Sequence, residues 1–271
     1  MKSILKYPGA KHRIAGWICS HMPEHKVYVE PYAGSLAVFF AKNPSKIETL
    51  NDLDGNVVNY FRVVREKPDE LARALRLTPF ARDEYMAAFE SNTLDTDVEK
   101  ARKFAVKCWQ GFGCSNVYRN GFRSSQQGNS PRTTKDWNGL PDRLLQASRR
   151  LMNAQIENLP ADEIIQRYNT SDVFLYLDPP YVPETRKKYL YLHEMEAEDH
   201  IRLLASVRNH PGKVMISGYD NALYNDMLRG WRKDEICTQA EGGLKRKETI
   251  WMNYPAQGHQ MTFAEVQGEA I

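Results

Sequence analysis

Five consecutive strand formers, Val173-Phe174-Leu175-Tyr176-Leu177, run straight into Asp178-Pro179-Pro180-Tyr181. A short apolar run bounded by turn residues reads as a strand covered on both faces, as in a parallel sheet. Two prolines then end the ladder, because neither can donate a backbone hydrogen bond. A carboxylate is thereby held at the carboxyl end of a central strand, where open α/β sheets place their ligands. The stiff Pro-Pro turn leaves the Pro179 carbonyl beside the Asp178 carboxylate, and Tyr181 adds a flat aromatic face. Two acceptors and a stacking surface within four residues suit a planar aromatic ring bearing an exocyclic amine. The same residues also fit an ordinary strand-ending Asp-Pro turn followed by a packing tyrosine, so the rest of the chain has to decide.

At 271 residues the chain accommodates one large domain, or a domain with a sizeable insert. Its 42% hydrophobic and 26% charged residues are those of a soluble globular protein. No run reaches the length of a membrane span, and the first residues carry no secretion-signal core, so a cytoplasmic setting is expected. The four cysteines are scattered without a CxxC pair, which argues against a zinc site or a disulfide framework and predicts no metal. Net charge is only +3, but residues 98–150 hold eleven Lys or Arg against three Asp or Glu. A basic block inside an otherwise acidic protein points to a polyanion partner, although a solvated basic face would look similar.

In chain order, Tyr7-Pro8-Gly9-Ala10-Lys11 forms a turn into a helix ending near His21. There the helix terminus and the Lys11 charge could clamp an anionic ligand tail. Val27 to Pro31 reads as a buried strand, followed by Tyr32-Ala33-Gly34-Ser35 and a helix beginning at Leu36. An acidic residue, a small-residue turn and a helix are the unit that cradles nucleotide-like ligands, though the dinucleotide fingerprint itself is absent. A second strand, Ile47 to Asn51-Asp52, places a carboxylate about twenty residues after that turn, the offset of a ribose-binding acid. Asn51, Asp52 and Asp54 are equally plausible as helix caps.

Helices are predicted near 55–66, 68–77, 81–91, 98–109 and 137–151. Between the last two lies a long segment, 110–138, rich in Gly, Ser, Asn and Gln. Tyr118, Arg119, Asn120, Phe122, Arg123, Arg132 and Lys135 stud it, the residue types that grip phosphates, stack on bases and read base edges. A disordered surface loop is the alternative. Further strands are predicted at 154–158, 213–218, 231–238 and 249–254, and helices at 161–168, 197–209 and 222–229. The charged stretch 183–194, with Arg186, Lys187 and Lys188, is placed to serve as a lid over Asp178.

Taken together, Lys6-Tyr7-Pro8-Gly9-Ala10-Lys11, Val29-Glu30-Pro31-Tyr32-Ala33-Gly34-Ser35, Asn51-Asp52, Asp178-Pro179-Pro180-Tyr181 and Ile216-Ser217-Gly218-Tyr219 resemble the motifs of the Dam-like DNA adenine-N6 methyltransferases of the alpha group, phage and prophage members above all. They occur in that family's order. The resemblance covers about residues 1–60 and 155–254 and implies an α/β, Rossmann-like S-adenosylmethionine-dependent methyltransferase sheet. It further implies a catalytic domain of residues 1–60 plus 153–271, interrupted by a mainly helical target-recognition insert at 61–152.

By that resemblance the cofactor is S-adenosylmethionine, lined by Tyr7, Pro8, Gly9, Ala10, Lys11, Glu30, Pro31, Ala33, Gly34, Ser35, Leu36, Asn51, Asp52, Leu53 and Asp178. Tyr7 and Lys11 would lie at its methionine end and Asp52 at its ribose. The substrate is double-stranded DNA, bound by a monomer or weak dimer. The target adenine is flipped out of the duplex onto Tyr181, with its amine held by Asp178 and the Pro179 carbonyl. Pro180 completes the catalytic motif. The chain departs from the family at Pro160, where relatives often carry an acidic residue near the cofactor's adenine; Asp162 or a backbone group stands nearest to replace it.

Other readings remain. Cytosine N4 enzymes more often carry Ser, and glutamine-modifying enzymes Asn, where this chain has Asp178. An unpaired RNA adenine presents the same edge as a flipped DNA one. A catalytically silent DNA-binding module would not require Lys11, Asp52 and Asp178 to persist together. A small-molecule methyltransferase leaves the basic insert unexplained.

Overall fold

The computed structural model describes residues 1–90, 92–114, 118–124, 133–183, 190–239 and 245–256. Among them, seven strands form one sheet: β1 (Val27–Glu30), β2 (Ile47–Asn51), β3 (Gln155–Glu157), β4 (Val173–Leu177), β5 (Lys213–Gly218), β6 (Arg232–Gln239) and β7 (Lys245–Met252), in the order β3-β2-β1-β4-β5-β7-β6. The first five are parallel, and β7 runs antiparallel to both β5 and β6. The register sets Val27 against Ile47 on one side and Val173 on the other, which aligns the carboxyl ends of β1, β2 and β4. The chain winds outward in one direction from β1 and in the other from β4. The gap between these two strands is therefore the point at which such sheets bind ligands. Every residue of β1 and β4 is buried, as a central strand covered on both faces requires.

Helices cover both faces. On one lie α1 (Ala15–Ser20), α2 (Ala37–Ala41) and α3 (Gly55–Glu66), joined by α4 (Pro68–Arg76), α5 (Arg82–Ala87), α6 (Asp97–Gln110), α7 (Thr133–Asn138) and α8 (Leu140–Leu151). A continuous core there links Phe174, Tyr176 and Met252 of the sheet to Leu71, Phe104 and Leu144 of these helices. On the other face α9 (Ala161–Arg167), α10 (Ala197–Arg208) and α11 (Ala222–Met227) pack Ile164, Leu204 and Tyr224 against Val29, Leu175 and Ile216. Asp54, rather than Asn51 or Asp52, caps α3, accepting from the Asn56 N–H. Its buried stripe of Val57, Tyr60, Phe61 and Val64 recurs at helical spacing.

Arg150 at the end of α8 donates to both oxygens of Glu48 on β2, a carboxylate that also takes Lys42 Nζ at 2.5 Å. Although burial alone would raise the Glu48 pKa, the Arg150 and Lys42 contacts hold it below its ordinary value. This buried cluster ties the helical segment to the sheet.

Besides helices that end early, such as Arg82–Ala87 where 81–91 was expected, three boundaries differ in ways that bear on the site. The helix expected over 137–151 is broken at Gly139, because Pro141 suits only the first turn of α8 and cannot continue α7. The helix ending near His21 begins only at Ala15, so Lys11 sits in the turn before it rather than at its terminus. The last strand starts at Lys245, four residues before the expected Thr249.

Candidate active site

The carboxyl ends of β1, β2 and β4 open into a cavity of about 350 Å³, bounded by the Tyr7–Lys11 turn, the Glu30–Ser35 turn, Asn51–Asp54, Leu159–Asp162, Asp178 and Pro180. Beyond β1 the chain needs a left-handed turn. Gly34 takes φ +48°, and a Cβ there would approach Tyr7 Cδ1 to 3.3 Å. Its N–H donates to Asp52 Oδ2 at 2.8 Å, while Asp52 Oδ1 accepts the Asp54 N–H at 2.9 Å. Asp52 thus clasps the two turns together and still lines the cavity. Burial raises its pKa to about 6 even against those hydrogen bonds.

Glu30 is 3% exposed and faces the same cavity. Burial raises its pKa to about 8, despite a 2.7 Å hydrogen bond from the Tyr28 hydroxyl, and the nearby Asp178 charge adds to the rise. Gly9, at φ +70°, completes the opposite wall; a Cβ there would collide with the Tyr191 hydroxyl. Tyr7 packs over Gly34 and lies with its ring centroid 6.0 Å from that of Tyr191.

Asp178 is gripped from two sides. Lys11 Nζ donates to Oδ2 at 2.7 Å and to the Gly9 carbonyl at 2.7 Å, and the Ser217 hydroxyl at the end of β5 donates to Oδ1 at 2.8 Å. Burial would lower the Lys11 pKa, but Asp178 and Glu248 outweigh it and raise the value, so the ammonium stays charged. The side chain that sequence reasoning placed on an anionic ligand is here paired with the motif's carboxylate, 167 positions away.

On the far side of Lys11 lies a second, open groove of about 850 Å³. Its walls carry Lys2, Lys6, Lys11, Arg13, Arg123, Arg143 and Arg246 against only Asp136 and Glu248. The groove reaches Tyr181 and the cavity reaches Asp178, so the two meet at the Asp178–Lys11 pair. The Tyr181 hydroxyl donates to Glu248 Oε2 at 2.6 Å. Its ring stands edge-on to Tyr219 at 4.5 Å between centroids, with Lys11 Nζ 4.9 Å from its centre.

Tyr7, Pro8, Gly9, Ala10, Lys11, Glu30, Pro31, Ala33, Gly34, Ser35, Asn51, Asp52, Leu53 and Asp178 all line the cavity. Leu36 does not: it is 1% exposed, with its side chain in the core at a left-handed φ of 56°. The Asn51 amide is fully used within the protein, donating to the carbonyls of Pro31 and Leu159 and accepting the Leu159 N–H, so it fixes the wall. Leu159, Pro160, Ala161 and Asp162 line the cavity, so the segment around Pro160 borders it and Asp162 brings a carboxylate to its wall.

In the basic segment, Tyr118, Arg119, Asn120 and Lys135 are exposed, with the Arg119 guanidinium 5.6 Å from the Phe89 ring centre. Arg123 lines the groove and donates to the Gly111 carbonyl at 3.1 Å. Phe122 was expected to face nucleic acid but instead packs between Phe80 and Tyr85, at 5.2 and 6.3 Å between ring centroids. Arg132 and the lid residues Arg186, Lys187 and Lys188 lie outside the described residues.

Two contributors went unread. Ser217 was quoted within a motif without a role, and Glu248 fell ahead of the predicted strand, inside a Lys-Arg-Lys-Glu run that resembles a loop.

A parallel sheet closed by an antiparallel hairpin, with an acidic small-residue turn after β1, a carboxylate after β2 and Asp-Pro-Pro-Tyr after β4, defines a Rossmann-like methyltransferase fold. Within that class the chain belongs to the D12 class N6 adenine-specific DNA methyltransferases, a family that matches residues 7–240. It is 26% identical to the type II methyltransferase M1.LlaDCHI of Lactococcus lactis subsp. cremoris, over 90% of each chain. It is equally identical to the type II methyltransferase M.MjaIII of Methanocaldococcus jannaschii, over 94% of this chain and 99% of that one. A DNA adenine methylase of Salmonella typhi is 24% identical over 91% and 92%. The chain is thus an adenine-specific DNA methyltransferase, with DNA as substrate and a methyl donor as its second requirement. Among the described residues no cluster of His, Cys, Asp and Glu could hold a metal ion, and no helix is long and apolar enough to cross a membrane.

Proposed function

We propose that the cavity binds S-adenosylmethionine and that the basic groove admits an adenine flipped out of double-stranded DNA. The observation that carries this reading is the meeting of cavity and groove at the Asp178–Lys11 pair. A cavity of about 350 Å³ is of cofactor size. It presents the carboxyl groups of Glu30, Asp52 and Asp178 to a ligand bearing a sulfonium and an ammonium. Asp52, already fixed by the Gly34 and Asp54 N–H groups, keeps free lone pairs for ribose hydroxyls. When bound, the cofactor supplies an electrophilic methyl group.

Asp178 receives one hydrogen bond on each oxygen, so a lone pair remains to accept from an adenine amine. Together with the Pro179 carbonyl it takes both amine hydrogens and turns the nitrogen lone pair toward the cavity. Tyr181 offers its ring to the extruded base, whose unstacking costs roughly a few kcal/mol. Burial and the neighbouring carboxylates hold its phenol pKa far above the ordinary value, so it acts as a neutral surface rather than a base. Transfer is a direct in-line displacement resting on positioning and electrostatics: the N6–methyl bond forms as the sulfonium–methyl bond breaks, a neutral thioether leaves, and one amine proton is released to solvent. Residues 61–152 take the recognition role, with Arg119, Arg123 and Lys135 toward DNA. The protein acts as a monomer or weak dimer in the cytoplasm of a bacterial or phage-infected cell.

The test pairs transfer from labelled S-adenosylmethionine to an unmethylated adenine duplex with the fluorescence of a matched duplex carrying 2-aminopurine beside or in place of the target adenine. A fluorescence rise on binding, with label recovered as N6-methyladenine from the adenine duplex, is expected. Label in cytosine, or in single strands alone, would overturn it.

A further inference from the structure

β7 is antiparallel to its neighbour β5. Its partner register ends with Thr249 opposite Gly218, the last residue of β5, while the strand itself begins four residues earlier at Lys245. The amino-terminal part of β7 therefore projects past the carboxyl edge of the sheet, the edge that carries Asp178. Side chains alternate along a strand, so Arg246 and Glu248 stand on one face. Both line the basic groove, and each engages a different tyrosine there: Arg246 Nη1 donates to the Tyr219 hydroxyl at 2.6 Å, and Glu248 Oε2 accepts from Tyr181 at 2.6 Å. Tyr181 and Tyr219 are the pair in edge contact.

From this geometry we propose that Glu248 is a positioning residue for the target base, acting through Tyr181. The inference rests on the reading of Tyr181 as the stacking surface. A tyrosine on a Pro-Pro turn has a backbone fixed by the prolines but a ring that still rotates about χ1 and χ2. Contacts that restrict that freedom include the Tyr219 edge, the Lys11 ammonium, and the hydrogen bond to Glu248. Of these, the hydrogen bond alone acts on the far end of the ring, where a restraint has most leverage over its tilt. Glu248 does not line the cavity and hydrogen-bonds to Tyr181 rather than to Asp178; it meets the Lys11–Asp178 pair only through its charge, so its main effect falls on base placement.

The experiment compares single-turnover transfer and S-adenosylmethionine affinity in Glu248→Ala, Glu248→Gln, Tyr181→Phe and the Glu248→Ala/Tyr181→Phe double variant, with Tyr181→Ala as reference. Deleting either end of one hydrogen bond to a carboxyl group slows transfer about tenfold, and the double variant is no slower than either single one. Glu248→Gln keeps an acceptor and stays within about threefold of wild type. Cofactor affinity in all of them remains within about twofold, which also shows that they are folded. A Gln variant as slow as the Ala variant, or two effects that multiply, overturns the assignment. Tyr181→Ala at wild-type rate sinks the stacking role itself. Slow Tyr181→Ala beside unimpaired Glu248→Ala removes only Glu248.

Discussion

Glu30 gives the fold a measurable pH signature. Its carboxyl is 3% exposed, and burial lifts its pKa from 4.5 to about 8. The folded protein then retains a proton that the unfolded chain releases above about pH 4.5. Stability conferred by that proton is lost as pH rises toward 8, at about 1.4 kcal/mol per pH unit, and levels off beyond. Wild type is thus penalised by about 3 kcal/mol at pH 7 and about 5 kcal/mol at pH 9. Glu30→Gln removes the titration while retaining an oxygen to accept from the Tyr28 hydroxyl. Urea unfolding followed by the fluorescence of the five tryptophans should find the variant close to wild type near pH 4.5. Its advantage should widen steadily up to about pH 8. A difference that stays constant from pH 5 to pH 9 would refute the reasoning, because the cost of keeping or removing the Glu30 proton must grow between the unfolded and folded pKa values, from about pH 4.5 to about pH 8.

Four further outcomes are expected. Asp178→Ala abolishes methyl transfer in a labelled-DNA assay while equilibrium dialysis still detects S-adenosylmethionine binding; retained activity ends the proposed mechanism. Asp52→Asn weakens cofactor binding about tenfold above pH 7 by removing a charged acceptor. That deficit shrinks as pH falls through about 6, where the wild-type carboxyl takes up its own proton, and a deficit independent of pH would exclude the carboxylate as the acceptor. Arg119→Ala and Arg123→Ala lower DNA affinity in a salt-dependent way with cofactor affinity unchanged. Phe122→Ala instead lowers unfolding stability by about 2 kcal/mol, because its half-buried ring packs on Phe80 and Tyr85; the reverse ranking would return Phe122 to the DNA surface.

What was legible in the sequence is what periodicity and local turn chemistry control. The buried run Val173–Leu177 and its abrupt prolines located the central strand and its carboxylate, and Asp54 was among the residues read as caps. What was not legible depends on side chains meeting across the fold. Asn51 and Asp52 are adjacent, and both suit a ligand. Both line the cavity, and only the tertiary structure separates them: the Asn51 amide is spent on Pro31 and Leu159, whereas the Asp52 carboxylate accepts from two N–H groups and keeps lone pairs free. Phe122 sits among basic and amide residues, so composition assigned it to DNA, whereas its neighbours in space are Phe80, Tyr85 and Arg82. Glu248 lacked any apolar alternation around it, because an edge hairpin with charges on both faces has no hydrophobic period.

Lys11 shows why the site could not be assembled from motifs alone. Each motif was visible, yet the contact that joins the first to the fourth depends on how the opening segment crosses the molecule. That segment is held by burial of Ile4 and Leu5 at 1% and 0% exposure. The Ile4 carbonyl also accepts from the Tyr60 hydroxyl at 2.6 Å and from Trp109 Nε1 at 3.4 Å. Tyr60 belongs to α3 and Trp109 to α6, so two separate helices anchor the same carbonyl. Trp109 also borders the basic groove, and Lys6 Nζ lies 4.5 Å from its ring centre. The helical segment α4–α8 therefore does more than carry basic residues. Together with α3 it fixes the stretch from Ile4 to Lys11, and with it the ammonium that pairs with Asp178 where cavity and groove meet.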